Sequence, residues 1–367
     1  MITDTILGVV RRMIVAIGAV ASVGVSFAQM KDVPSEWKAD CVGRMQLSLP
    51  GDVDVAATTL KDIERMWRPA SSSFEDEQVS WGSGLEFLGK IKVIHGLTPD
   101  GMNAYMARRA KVRDKFRSGV EQAKKQDIAY KPVVDLPIRA TQAGFGFQAQ
   151  GQRLLVLRLP PHVFSWGGFT GISEGESRVN YETILRGVRG RSTFDVPKEN
   201  GVCLPYSFIR DDGSNGRSIA MTYRLKAHPD ITIFLKDMDA AKAGPAQDPR
   251  KFTATYETQY FWTYYCSTCR SKSVKRFDIH RHTSLAGQPA IETIADLVRK
   301  DGTEDFGYLV VAKGDADAKE DTPDLMLYVM RDADNARAKG IKPMPRDEFL
   351  KMAREIAASV RRRPVHR

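Results

Sequence analysis

The chain has 367 residues, of which 42 % are hydrophobic and 27 % charged, and 55 Lys and Arg against 45 Asp and Glu leave a net charge of +10. That apolar content excludes a disordered chain, and the length exceeds what one hydrophobic core usually serves, so two domains are expected. The positive charge forms no run of five or more Lys or Arg, which argues against nucleic acid and weakens an anionic lipid surface as partner.

Residues 1–28 have the three parts of a cleavable secretion signal. Arg11 and Arg12 form a basic start, Met13 to Phe27 carries no charge, and Ser26-Phe27-Ala28 puts small residues where a signal peptidase reads. Cleavage before Gln29 is expected. It would leave 339 residues and, with Arg11, Arg12 and Asp4 gone, a net charge of +9. The apolar run of 15 residues falls short of the roughly 20 a spanning helix needs. No stable membrane anchor is expected, and the mature chain should fold outside the cytoplasm.

Four cysteines remain, Cys41, Cys203, Cys266 and Cys269. An even number in an oxidising compartment reads as two disulfides, for which three pairings exist. A spacing of three residues across a tight turn favours Cys266–Cys269, which leaves Cys41–Cys203.

In chain order, Cys41 to Leu49 reads as a strand ending at Pro50-Gly51, and Leu85 to His95 as a second. Thr98-Pro99-Asp100 has the cap, first-turn proline and acid of a helix start. That helix should run to about Gln126 with Val112, Phe116, Val120 and Ala123 as its buried stripe. Ile138 to Gln148, Leu154 to Leu159 and Cys203 to Ile209 read as strands, Tyr181 to Val188 as a helix, and Ser218 to Leu235 as a hairpin. Residues 241–250, rich in Ala, Gly and Pro, break all periodicity and are expected to link a first domain, 41–240, to a second, 251–367. In the second, Phe252 to Tyr264 alternates like a half-buried strand and Val274 to His282 follows as another. Pro289 should start a helix with Ile291, Ile294 and Val298 inward. Phe306 to Ala312 and Leu325 to Met330 read as strands, the latter apolar throughout and so buried on both faces. A last helix begins at Pro345, with Phe349, Met352, Ile356 and Val360 inward. The expected class is α+β: two domains, each a mostly antiparallel sheet with helices on one face.

The chemical motifs are weak. Gly171-Ile172-Ser173-Glu174-Gly175 has the form of a nucleophile elbow, but the preceding strand ends ten residues early at Pro160-Pro161 and no histidine sits in a recognisable setting. Cys266, Cys269, His280 and His282 number four potential zinc ligands, at a spacing foreign to zinc fingers. The acidic loop of Asp315, Asp317, Asp321 and Asp324 has Lys319 and Glu320 where a calcium loop needs a ligand and a glycine. No catalytic residue, metal or cofactor is assigned.

Cys41-Val42-Gly43-Arg44 with Leu47-Ser48-Leu49-Pro50, then Ser271 to Ile279, Asp305 to Val310, Lys319 to Leu325 and the arginine-rich last helix together resemble the periplasmic immunity proteins paired with type VI secretion phospholipase effectors. The resemblance runs from about residue 40 to the end. It implies a non-enzyme that binds one cognate lipase in a 1:1 complex in the periplasm and blocks its active-site cleft. The alternatives are a periplasmic hydrolase using Ser173 and a basic module for anionic lipid headgroups. For gripping a partner, the loop His162 to Thr170 offers Phe164, Trp166 and Phe169 about Gly167-Gly168, with Arg189 and Arg191 as a positive rim. The same aromatics could instead close the core of the first domain.

Overall fold

The computed structural model describes residues 34–64, 72–76, 78–80, 84–265, 273–298 and 301–365. The expected secretion signal and the pair Cys266–Cys269 lie outside them.

A hairpin of β1 (Lys38–Val42) and β2 (Met45–Leu49) opens the described chain. It replaces the single strand expected from Cys41 to Leu49. Gly43 makes the turn with φ +57°, and a Cβ there would stand 2.3 Å from an oxygen of Asp237. Next come β3 (Val53–Val55), the short helix α1 (Leu60–Glu64), β4 (Ser72–Ser73), β5 (Val79–Ser80), β6 (Leu85–Phe87) and β7 (Gly89–Ile94). The long helix α2 (Pro99–Lys125) starts where expected, with the Thr98 hydroxyl accepting from Gly101 N–H. After it follow β8 (Val134–Leu136), β9 (Gly144–Ala149), β10 (Gln152–Leu159), β11 (His162–Gly168), α3 (Glu174–Gly187), β12 (Val188–Gly190), β13 (Gly201–Leu204), β14 (Ser207–Arg210), β15 (Arg217–Leu225) and β16 (Ile231–Met238). The remainder is α4 (Ala254–Tyr260), β17 (Ser273–Leu285), β18 (Gln288–Val298), β19 (Glu304–Ala312), β20 (Asp324–Arg331), α5 (Ala333–Ala338), α6 (Arg346–Ser359) and β21 (Arg361–Arg362).

Thirteen strands form one sheet in the order β17-β18-β19-β20-β16-β15-β6-β7-β11-β10-β9-β8, with β3 also on β15. Its ladders are antiparallel, which fits the α+β class. β16 pairs along its length with β20, so strands from both sides of 241–250 share this sheet.

Side chains alternate between its two faces. On β20, Leu325, Leu327 and Val329 join the larger core, which α3, α6 and the β1–β2 hairpin close. Met326, Tyr328 and Met330 point the other way, under Phe261 and Trp262. At the opposite end of that second face, Met102, Tyr105 and Met106 of α2 pack on Ile94, Val156 and Val163. Helices therefore cover both faces, where one was expected.

Two elements differ in kind from expectation. Gln288–Val298 is a strand between β17 and β19, not a helix. All residues from Ala290 to Ala295 are buried, so a central strand shows no polar alternation, and the spacing of Ile291, Ile294 and Val298 mimics a helical stripe. Phe252 to Tyr264 is helical, α4 followed by a π turn at Phe261–Tyr265, not a strand. The Thr253 hydroxyl caps it by accepting from Tyr256 N–H. Docking of Trp262 on β18 and β19 decides the conformation: its indole donates to the Thr293 hydroxyl at 2.9 Å and lies on Gly307. Strand-forming aromatics yield to that packing.

Candidate partner-binding surface

The five residues expected to meet a partner fall into two groups. Residues 162–168 are the strand β11 rather than a loop, paired to β7 and β10. Phe164 and Trp166 are both 0 % exposed, because alternate residues of a central strand point into the larger core. The Trp166 indole donates to the Phe87 carbonyl at 3.3 Å and meets the Tyr181 ring edge-on at 6.2 Å. The aromatics thus close a core, and only Phe169, just past the strand, reaches solvent at 36 %.

Arg191 is interior as well. Its guanidinium donates to Asp40 at 2.6 Å and to the carbonyls of Cys41, Leu204 and Asp195. Burial works against its charge, and Asp40 beside it more than compensates, holding the pKa above the ordinary arginine value. Arg189 is half exposed, paired with Glu199 at 2.7 Å and stacked 4.9 Å above the Phe208 ring. Its neighbour Gly190 approaches Leu159 beside the start of β11, whereas Phe169 follows the far end of that seven-residue strand, roughly 20 Å away. No rim of charge around an aromatic patch forms there.

The Cys41–Cys203 bond is present, with Cα atoms 5.7 Å apart and both residues buried. It ties β1 to β13, where Gly43 and Cys203 also exchange backbone hydrogen bonds at 2.9 and 2.8 Å. The loop between β12 and β13 is held from beneath. Arg363 donates to the carbonyls of Pro197, Glu199 and Gly201. Burial, then the nearby Arg191 charge, pushes the Arg363 pKa down to about 10.

Ion pairs that sequence reasoning missed join distant parts of the chain. Asp321 is ion-paired with Arg217 at 3.1 Å and Arg362 at 2.8 Å, and lies 3.5 Å from Arg44. Arg217 also reaches Asp237 at 2.6 Å and Arg44 reaches Asp211 at 3.0 Å. Burial would raise the Asp321 pKa, but Arg217 and Arg362 hold it below the usual carboxylate range. The acidic loop is thereby recruited for structure, with Asp324 accepting from Lys313 and from Gly314 N–H. Ser173 has a structural post too: its hydroxyl caps α3 by accepting from Glu176 N–H at 3.1 Å. A stack of His95, Tyr206 and His162, with centroids 5.8 and 4.1 Å apart, pins the β13–β14 turn to the main sheet. Burial, then His95, pushes the His162 pKa down to about 4.

Among the described residues, no group of three or more His, Cys, Asp or Glu is placed to hold a metal ion, and no helix is long and apolar enough to cross a membrane. Exposed apolar side chains collect at the end of α2 and along β8, where Phe116, Ile128, Tyr130 and Val134 are 39–50 % exposed. Phe116 was expected in the buried stripe. It lies on the side of α2 that faces the sheet, but β8, the edge strand, is only three residues long and leaves it uncovered.

Residues 195–365 match the family model described as Tle cognate immunity protein 4, C-terminal domain. A comparison with curated protein sequences returns no match. The fold is similar to that of the immunity protein TplEi of the type VI secretion system from Pseudomonas aeruginosa, solved with a peptide named "L": the TM-score is 0.54 at 16 % identity, over 91 % of this chain and all of that one. A structure of the same protein without the peptide gives a TM-score of 0.55 at 15 % identity, over 90 % and 99 %. A chain of the Tle4–Tli4 complex gives 0.55 at 17 % identity, over 92 % and 100 %.

Proposed function

We propose, from the premise that residues 195–365 match the Tle cognate immunity protein 4 C-terminal domain, that this chain is an immunity protein: it binds a cognate type VI secretion phospholipase in a 1:1 complex and blocks its active-site cleft. The observation that carries the reading is that match, which covers β13 to β21 and therefore six of the thirteen strands of the main sheet. The shared architecture over nine-tenths of the chain supports it. The role is inhibition by binding, without catalysis; the one serine in a nucleophile-like motif, Ser173, is spent on capping a helix. The site of action is the periplasm, reached through the secretion signal at residues 1–28. Of the five residues first considered for the grip, Phe169 and Arg189 remain as surface candidates.

The test is co-purification and inhibition with the lipase encoded beside this gene. A stable 1:1 complex and stoichiometric loss of lipase activity are expected, and a Ser173→Ala variant should inhibit as well as the parent. Failure to bind that lipase at micromolar concentration, or hydrolysis of lipid lost in Ser173→Ala, would overturn the reading.

A further inference from the structure

The corner where α2 ends carries half of the molecule's net charge. Residues 108–135 hold nine Lys and Arg against four Asp and Glu, a net of +5 out of +10 for the whole chain. In sequence these cations are interrupted and form no run; folded, eight of the nine line one helix. Lys111 and Lys115 stand one turn apart and exposed, followed by the exposed Lys124 and Lys125. Lys115 and Arg117 flank Phe116 on either side, as consecutive helical positions do. Arg113 and Arg117 pair with Asp135 of β8 at 3.4 and 2.6 Å, which brings the helix against the edge strand.

The chain leaving this helix is apolar and bare. Ile128-Ala129-Tyr130-Lys131-Pro132-Val133-Val134 has one charge in seven residues, and all but Val133 are exposed. Nothing in a water-facing role calls for an isoleucine, a tyrosine and a valine about half exposed beside a basic helix. We propose that this corner docks on an anionic phospholipid bilayer: Ile128, Tyr130 and Val134 enter the headgroup boundary, and the lysines and arginines of the outer face of α2 meet lipid phosphates. A tyrosine at the boundary of apolar and wet surroundings, with long basic side chains beside it, is the chemistry of an interfacial segment. Charge complementarity selects a membrane over a protein partner here. Five of the nine cations are lysine, which is depleted in protein interfaces, and a diffuse field of +5 suits a surface of many phosphates. The inference stands independently of the immunity reading, since it concerns where the protein sits rather than what it inhibits.

The experiment is vesicle sedimentation of the mature chain. Vesicles of phosphatidylcholine alone are compared with vesicles holding about 30 % phosphatidylglycerol. A corner variant, Lys111→Glu/Lys115→Glu/Lys125→Glu, is set against a control that reverses the same number of exposed charges elsewhere, Lys319→Glu/Lys342→Glu/Lys351→Glu. Every arm is the processed chain beginning at Gln29, so the apolar leader does not contribute to vesicle binding. We expect binding at low salt at least about tenfold stronger to the anionic vesicles, lost by about tenfold or more in the corner variant and largely kept in the control. Ile128→Asp/Tyr130→Asp should weaken binding to a similar degree while its melting temperature stays that of the parent. Equal binding to both vesicle types overturns the proposal, as does an equal loss in corner variant and control. So does a corner variant that keeps vesicle binding but loses the lipase, which would make the corner a protein interface.

Discussion

Replacing Trp166 with alanine distinguishes a core residue from a gripping one. The indole is fully buried, donates to the Phe87 carbonyl and packs on Tyr181. Gly89 and Gly168 sit so close that a Cβ on either would stand 2.5 or 3.1 Å from the ring. Surroundings that lean on an aromatic from several sides collapse poorly into the space it leaves, so the loss should reach the usual range for deleting a buried tryptophan, about 3–5 kcal/mol. Unfolding entropy near 2.1 cal/mol/K per residue amounts to roughly 0.7 kcal/mol/K for a unit of this length. The melting temperature should fall by about 4–7 °C in a calorimetric scan. The folded fraction should bind the cognate lipase with unchanged affinity, since the side chain does not reach the surface. A melting temperature within about 1 °C of the parent together with a loss of binding of about 2 kcal/mol or more would refute the assignment and return Trp166 to the interface.

Three further outcomes are expected. Asp40→Asn leaves the buried Arg191 guanidinium without its counter-charge at 2.6 Å and should lower the unfolding free energy in urea by about 3–5 kcal/mol. The His162 pKa near 4 lies below its usual 6.5, so the unfolded chain takes up the proton first. Stability is therefore complete above pH 6.5 and declines as the pH falls toward 4; His162→Phe, which keeps the stack on Tyr206 but cannot titrate, should remove about 2 kcal/mol of that decline after allowance for solvent screening. Gly307→Ala places a methyl group 2.5 Å from the Trp262 ring and should cost about 1–3 kcal/mol, with a red shift in tryptophan emission that is absent in a Trp262→Phe background.

What could be read from the sequence was local. Thr98 and Pro99 mark the start of α2 because a cap depends on residues within one turn. The stripe of Phe349, Met352, Ile356 and Val360 marks α6 because a helix with one buried face repeats within itself. β18 was unreadable for the opposite reason: a strand covered on both faces carries no periodicity of its own. The strand assignment at Phe252 to Tyr264 failed because Trp262 finds its partners in Thr293 and Gly307, which no local rule anticipates. Around the candidate surface, the Cys41–Cys203 pair was legible through cysteine count. The burial of Arg191 was not, since an arginine after a glycine reads as solvent-facing until Asp40 is seen beside it. Phe116 shows the limit from the other side: its helical position is right for burial, and only the shortness of β8 leaves it bare.

The pairing of β21 with β2, Met45 opposite Arg362 and Gln46 opposite Arg361, sets the order in which the molecule can be completed. A chain made from its N-terminus holds the β1–β2 hairpin early but cannot zip its free edge until a strand more than 300 residues further on has emerged. Arg363, arriving with that strand, then takes up three backbone carbonyls of the loop before β13. A premature stop at Arg361 would leave the edge of β2 and those carbonyls open at once, though it removes seven residues of 367.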